Sequence, residues 1–210
     1  MRTIFLILIL SFSGIVALNA QTIYTVTKTG DPSNFDHPYN FDDNLCDPEM
    51  YGTLQWAIRK SLGTNGQCII HFNIPGSGEQ VIALNYSLPV ITKKLFIDGS
   101  TQPGYSTGSP LITIDGTGSL TTGIYFYGTS SCGVKGLHTR NFATQAVQFY
   151  SCTGFVVTDN VFTQDAPWPS KLPAAYVRII SSHRGEVYGN HIGVVENGVF
   201  PQVVSYGIVV

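Results

Sequence analysis

The chain has 210 residues, only 11% of them charged, with 11 Lys and Arg set against 13 Asp and Glu. Nucleic acid and anionic membrane surfaces are thereby excluded as partners, because both call for a basic surface. Gly (22), Phe (12) and Tyr (11) are plentiful instead, a composition that suits tightly turned β-structure with aromatic and aliphatic strands.

At the N-terminus Arg2 is followed by an apolar run from Ile4 to Leu10 and by a small-residue stretch ending near Ala20. This order is that of a secretory signal peptide over residues 1–20. Ser11, Ser13 and Gly14 interrupt the run and Asn19 and Gln21 end it, short of the roughly 20 apolar residues a membrane span needs. Cleavage is expected after Ala20, although Leu18 is larger than the small residue preferred three positions before the cut. No later segment is apolar enough to cross a bilayer, so the mature chain is expected to be extracellular or at the cell surface. Its four cysteines are then expected to pair, since that compartment is oxidising. Three pairings are possible; Cys46 with Cys68 and Cys132 with Cys152 are favoured because each pair is close in sequence.

Residues 21–50 read as one strand, QTIYTV, and a loop rich in Asp, Asn and Pro. Asp36, Asp42, Asp43, Asp47 and Glu49 could offer oxygen ligands to calcium. The loop lacks the spaced Asp/Asn and Gly pattern of a dedicated calcium site, so it is read as a solvated connection and no metal or cofactor is expected. Residues 53–62 predict a helix: Thr53 as N-cap, Leu54, Ala57, Ile58 and Leu62 on one face, and Gly63 as the stop. One short amphipathic helix ahead of a long β-region is suited to covering the open end of a stack of coils.

Short apolar segments separated by turns follow, among them CIIHFNI, QVIALN, KLFIDG and LITIDG. Asp98-Gly99 and Asp115-Gly116 end two of them in the same way, and both aspartates are read as bonding local backbone amides. Ile124, Val147 and Val177 start equivalent strands, Val134, Val157 and Val187 start the next ones, and both sets give offsets of 23 and 30 residues. A further coil opens at Ile208. Stacked β-coils lengthened by insertion show such a period, and the extra residues lie near QDAPWPSKLP. The fold class expected for residues 51–210 is therefore all-β, a right-handed parallel β-helix.

Alternation assigns faces. With Ile124, Val147, Val177 and Ile208 inward, Phe126, Phe149, Ile179 and Val210 are inward too. Tyr125, Gln148 and Arg178 then form one outward column, and Tyr127, Tyr150 and Ile180 another. Asn160 and Asn190 superpose at a turn, where stacked asparagines bond each other and the backbone.

This pattern resembles the bacterial secreted proteins with a pectin-lyase-like right-handed β-helix. The residues that carry the resemblance are GTLQWAI at 52–58, IIHFNIPGSGEQVIALNYSLPVITKKLFIDGSTQPGYSTGSPLITIDGTG at 69–118, GVKGLHTRNF and YGNHIG, and they span roughly residues 51–210. Family members usually carry a basic residue where this chain has Gln55, a departure on a helix read as lying at the surface. The resemblance implies long, often modular exported proteins, many without demonstrated catalysis. It also implies a chain truncated at its C-terminal end, since YGIVV opens a coil that nothing follows.

The same fold hosts polysaccharide lyases and glycoside hydrolases, so chemistry must be judged from residues. A calcium-dependent lyase needs clustered carboxylates with an Arg or Lys base, and a hydrolase two facing carboxylates. In the later coils acids are sparse, Asp159, Asp165 and Glu186 among them, and Asp159 superposes on Gly136 and Gly189. His138 and His191 stand two coils apart with Val161 between them, about 10 Å at normal strand spacing. Both are read as surface or turn histidines without a second ligand. No catalytic residue is expected, and the function read here is a non-catalytic exported scaffold, with a lyase or hydrolase whose catalytic coils lie beyond residue 210 as the alternative.

The candidate ligand-binding residues are Tyr125, Tyr127, Gln148, Tyr150 and Arg178. Aromatic rings stack on sugar C–H faces while phenols and a guanidinium donate hydrogen bonds, so the expected partner is a polysaccharide or other cell-surface ligand. The rival reading is that the loop carrying Trp168 folds over the tyrosines, which then only pack.

Overall fold

A computed structural model describes residues 21–31, 49–164, 175–193 and 208–210. Residues 1–20, read above as a signal peptide, and Cys46, Asp36, Asp42, Asp43, Asp47, Asp165 and Trp168 lie outside the described residues.

The described chain is a right-handed parallel β-helix with three sheets, and every strand-to-strand ladder in it is parallel. Sheet A runs β1 (Thr22–Val26), β2 (Cys68–Phe72), β4 (Leu95–Asp98), β7 (Ser130–Lys135), β10 (Thr153–Thr158), β13 (Glu186–Tyr188). Sheet B contains β3 (Gln80–Ala83), β5 (Ile112–Asp115), β8 (Leu137–Arg140), β11 (Val161–Thr163) and β14 (His191–Ile192) in that spatial order. Sheet C holds β6 (Thr122–Tyr127), β9 (Gln145–Tyr150), β12 (Val177–Ile180) and β15 (Ile208–Val209).

The repeat read from the sequence is the observed register. Ile124 pairs with Val147, Val147 with Val177 and Val177 with Ile208; Val134 pairs with Val157 and Val157 with Val187. Inward side chains from successive coils therefore meet their equivalents. Phe126 stacks on Phe149 at 4.9 Å with ring planes 2° apart, and Ile70, Ile97, Val134 and Val157 form a buried aliphatic column. Val210, expected inward, is almost fully exposed.

The turn from sheet A to sheet B is fixed by side chain and backbone together. Asn160 Nδ2 donates to Asn190 Oδ1 at 2.9 Å and to Val134 O at 3.2 Å, its Oδ1 accepts from Leu137 N at 3.0 Å, and its own N donates to Asn190 Oδ1 at 3.0 Å. The preceding residues Gly136, Asp159 and Gly189 all sit at left-handed φ, 63°, 55° and 66°, so glycine is the favoured occupant of that column and Asp159 the tolerated exception.

The helix α1 (Leu54–Leu62) begins at Thr53, whose hydroxyl accepts from Trp56 N at 3.2 Å. It packs against β1 and β2, the first two rungs of sheet A, and buries Leu54, Ala57 and Ile58 in the core, with Leu62 partly buried against it. Gly63 ends it as expected, but at a right-handed φ of −82°. The surface reading of Gln55 is corrected: it is 1% exposed, and neither side-chain polar atom has a partner among the described residues. The helix is covered on more than its apolar stripe, which puts Gln55 and Ser61 inside as well.

Among the described cysteines no disulfide is formed. Cys68 is a buried, unbonded thiol, pushed up from its ordinary pKa chiefly by that burial. Cys132 and Cys152 are buried and unbonded too, joined by a hydrogen bond between their thiols. The register explains the missing bond, since it sets Cys132 opposite Phe155 and leaves Cys152 three residues earlier, on the turn. The hydrogen bond holds Cys152 down to about 6 and pushes Cys132 up.

Candidate functional site

Sheet C presents the outward columns as the alternation requires. Tyr125 pairs with Gln148 and Gln148 with Arg178, while Tyr127 pairs with Tyr150 and Tyr150 with Ile180. Parallel strands hold such residues side by side at every coil, and the rings of Tyr127 and Tyr150 stack at 5.4 Å with planes 19° apart. Tyr125 meets Tyr127 edge-on at 6.2 Å.

Exposure divides these residues. Tyr127 is 47% and Tyr150 36% exposed, so both offer ring surface to solvent. Tyr125 and Arg178 are half-buried. Burial, and then the neighbouring Tyr127, push the Tyr125 phenol above its ordinary pKa. Gln148 is only 8% exposed, and its Oε1 accepts from Gln145 Nε2; it is a packed support for the tyrosines and not a surface contact. The loop carrying Trp168 lies outside the described residues.

Beside the tyrosines, at the corner where sheet C turns into sheet A, runs a polar groove lined by Lys93, Lys94, Thr129, Ser130 and Ser151. Tyr127 N donates to Ile91 O at 2.9 Å, and Ile91 bridges to Phe126. The two lysines thus lie on the coil before Tyr127. Sequence reasoning missed them because the first coils have no strand in sheet C with which to phase residues 91–94 against the later coils. The Ile-then-polar step at Ile91-Thr92, matching Phe126-Tyr127, was the available signal.

Other expectations were met more closely. Asp98 Oδ1 accepts from Ser100 N at 3.0 Å and Asp115 Oδ1 from Thr117 N at 2.7 Å, the local amide bonding foreseen for both. Asp115 does more, since its Oδ2 lies 2.8 Å from Arg140 Nε. His138, Val161 and His191 are in register, two coils from end to end. The isolated reading of His138 is corrected, because Glu79, Thr113 and Thr163 surround it. Among the described residues no three His, Cys, Asp or Glu side chains gather as a metal site, and no helix is long and apolar enough to cross a membrane.

No family model and no curated protein matches the chain. Among solved structures it is similar to the 1.7 Å crystal structure of Jun a 1, the major allergen from cedar pollen. The TM-score is 0.50 at 15% identity, over 79% of this chain and 43% of that one. The chain thus spans less than half the length of that allergen, and the likeness concerns the fold alone.

Proposed function

We propose that the chain is an exported β-helix module that acts as a cell-surface or extracellular scaffold and binds a polysaccharide along sheet C. The observation that carries this reading is the exposed, stacked pair Tyr127 and Tyr150. Rings repeated at the coil spacing give a sugar chain running along the solenoid two successive platforms, while Tyr125 and Arg178 supply hydrogen-bond donors on the neighbouring column. No catalytic part is assigned to this face, since among the described residues its outward columns bring no two carboxylates together.

The test is affinity electrophoresis against a panel of soluble polysaccharides. Retardation by at least one is expected, and Tyr127→Ala with Tyr150→Ala should weaken it roughly tenfold, as two aromatic contacts of about 0.5–1.5 kcal/mol each imply. The melting transition should stay unchanged. Equal retardation of the variant and the parent would make this face a packing surface only.

A further inference from the structure

The outer face of sheet B carries side chains that the tyrosine face does not use. Thr113, His138 and Val161 stand in one outward column, and Asp115, Arg140 and Thr163 in the next. Glu79, just ahead of β3, reaches across the first of these columns. Thr113 Oγ1 lies 2.5 Å from Glu79 Oε1 and 3.2 Å from His138 Nδ1, and His138 Nε2 lies 2.7 Å from Thr163 Oγ1. Four successive coils thus contribute one link each.

With His138 neutral, the donor and acceptor capacities of these groups allow one self-consistent arrangement of protons along the chain. A carboxylate only accepts, and Glu79 lies 3.9 Å from the Arg140 guanidinium, so Thr113 donates its hydroxyl proton to Glu79. The Thr113 oxygen is then left to accept from His138 Nδ1–H. A neutral imidazole with its proton on Nδ1 has its lone pair on Nε2, and Thr163 must donate to it. The outcome is a hydroxyl whose proton points at an imidazole base, with the far side of that base oriented through Thr113 by a carboxylate. Nucleophilic catalysis uses this order of nucleophile, base and orienting group.

Arg140 is the register partner of Thr163, but its guanidinium turns the other way, onto Asp115 at 2.8 Å on the preceding coil. On the following coil Phe162 pairs with Ile192, so the same register sets Gly193, which has no side chain, beside Thr163. Thr163 is 8% exposed, so a small acyl group is the one to test.

We propose that Thr163 is an acyl-accepting nucleophile for small esters, with His138 as its general base and Thr113 and Glu79 as positioning residues. Thr163 Oγ1 attacks the ester carbonyl carbon while its proton passes to His138 Nε2. The bond from that carbon to the leaving oxygen breaks, and the leaving alkoxide takes the proton back from His138. Water, deprotonated by the same imidazole, then hydrolyses the acyl-threonine and restores the hydroxyl. This reading is independent of the tyrosine face.

The experiment incubates the whole chain with p-nitrophenyl acetate, follows nitrophenolate release, and maps acetylated peptides by mass spectrometry after quenching. Acetylation at Thr163 is expected, with a rate that rises as the His138 imidazole loses its proton. Thr163→Ser should keep the adduct and Thr163→Ala should abolish it at that position. His138→Gln should slow release roughly 10²–10⁴-fold, and Glu79→Gln should displace the pH profile, a change that a purely structural role would not produce. If Thr163→Ala fails to fold, the Ser and Glu79→Gln variants still decide the matter. An unmodified Thr163 in the parent chain, or acetyl groups only on other histidines and lysines, would overturn the proposal and leave the network a structural one.

Discussion

At single-residue resolution Asn160 shows how one side chain ties neighbouring coils together. It is 1% exposed and sits between two coils, so its amide must both donate and accept. The Nδ2 group faces two oxygens, Val134 O and Asn190 Oδ1, and Oδ1 faces one donor, Leu137 N. Asn160→Asp keeps the shape and the acceptor but replaces the donor by a second oxygen. An unpaired buried polar group costs about 1–3 kcal/mol, and more if charged, so at neutral pH the variant should lose roughly 3 kcal/mol or more. The sign with pH follows from the same contacts. Burial against two oxygens raises the folded-state pKa of the new carboxyl above the unfolded value of about 3.9. The protonated acid can donate, so the folded variant is best supported below that unfolded value and loses support as pH rises through the folded one. Urea midpoints of variant and parent should therefore diverge from acid to neutral pH. Coincident midpoints at neutral pH would show that the ladder contributes little.

Among the elements, strand-to-strand fit depends on where backbones approach. Gly123 in β6 is such a point: a Cβ built there would lie 2.3 Å from Ala146 O on the next coil and 3.0 Å from the Phe142 ring. Backbone cannot rotate away, so Gly123→Ala should destabilise by roughly 1–3 kcal/mol, the cost of overpacking. Gly30, with open space around it, is the control, and Gly30→Ala should leave the unfolding midpoint in place. Equal effects of the two would mean that β6 and β9 slide apart freely. The same elements explain what could be read in the sequence. Inward positions must repeat because each coil packs on the next, so Ile124, Val147 and Val177 announced their register and fixed the tyrosine columns. Outward positions carry no such requirement. The partners of His138 therefore left no period to follow, and one of them, Glu79, comes from outside any strand. The first coils were hidden for another reason: β2 to β5 supply only sheets A and B, so their spacing does not match the later coils. For the cysteines, a 23-residue coil places Cys132 against Phe155 and Cys152 on the turn before it, near enough for the two thiols to interact but unbonded.

For the molecule as a whole, each coil pairs within its sheets only with the coils before and after it, and the stability of such a stack is approximately a sum of coil and neighbour terms. The helix α1 enters that sum at one end, where it packs on β1 and β2 and contributes Leu54, Ala57 and Ile58 to the core. Ile58→Ala removes a fully buried side chain and should cost about 2–5 kcal/mol, the usual range for such a truncation. In a nearest-neighbour stack that loss is local. Amide hydrogen exchange should accelerate in α1, β1 and β2, less in β4, and hardly at all in β9 and β10, whose neighbours are unchanged. Opening in contiguous units of this kind is what native-state exchange resolves. Equal acceleration at β9 and β10 would mean that the whole molecule opens as one unit. Acceleration restricted to α1 would mean that the helix merely rests on the first rungs without protecting them.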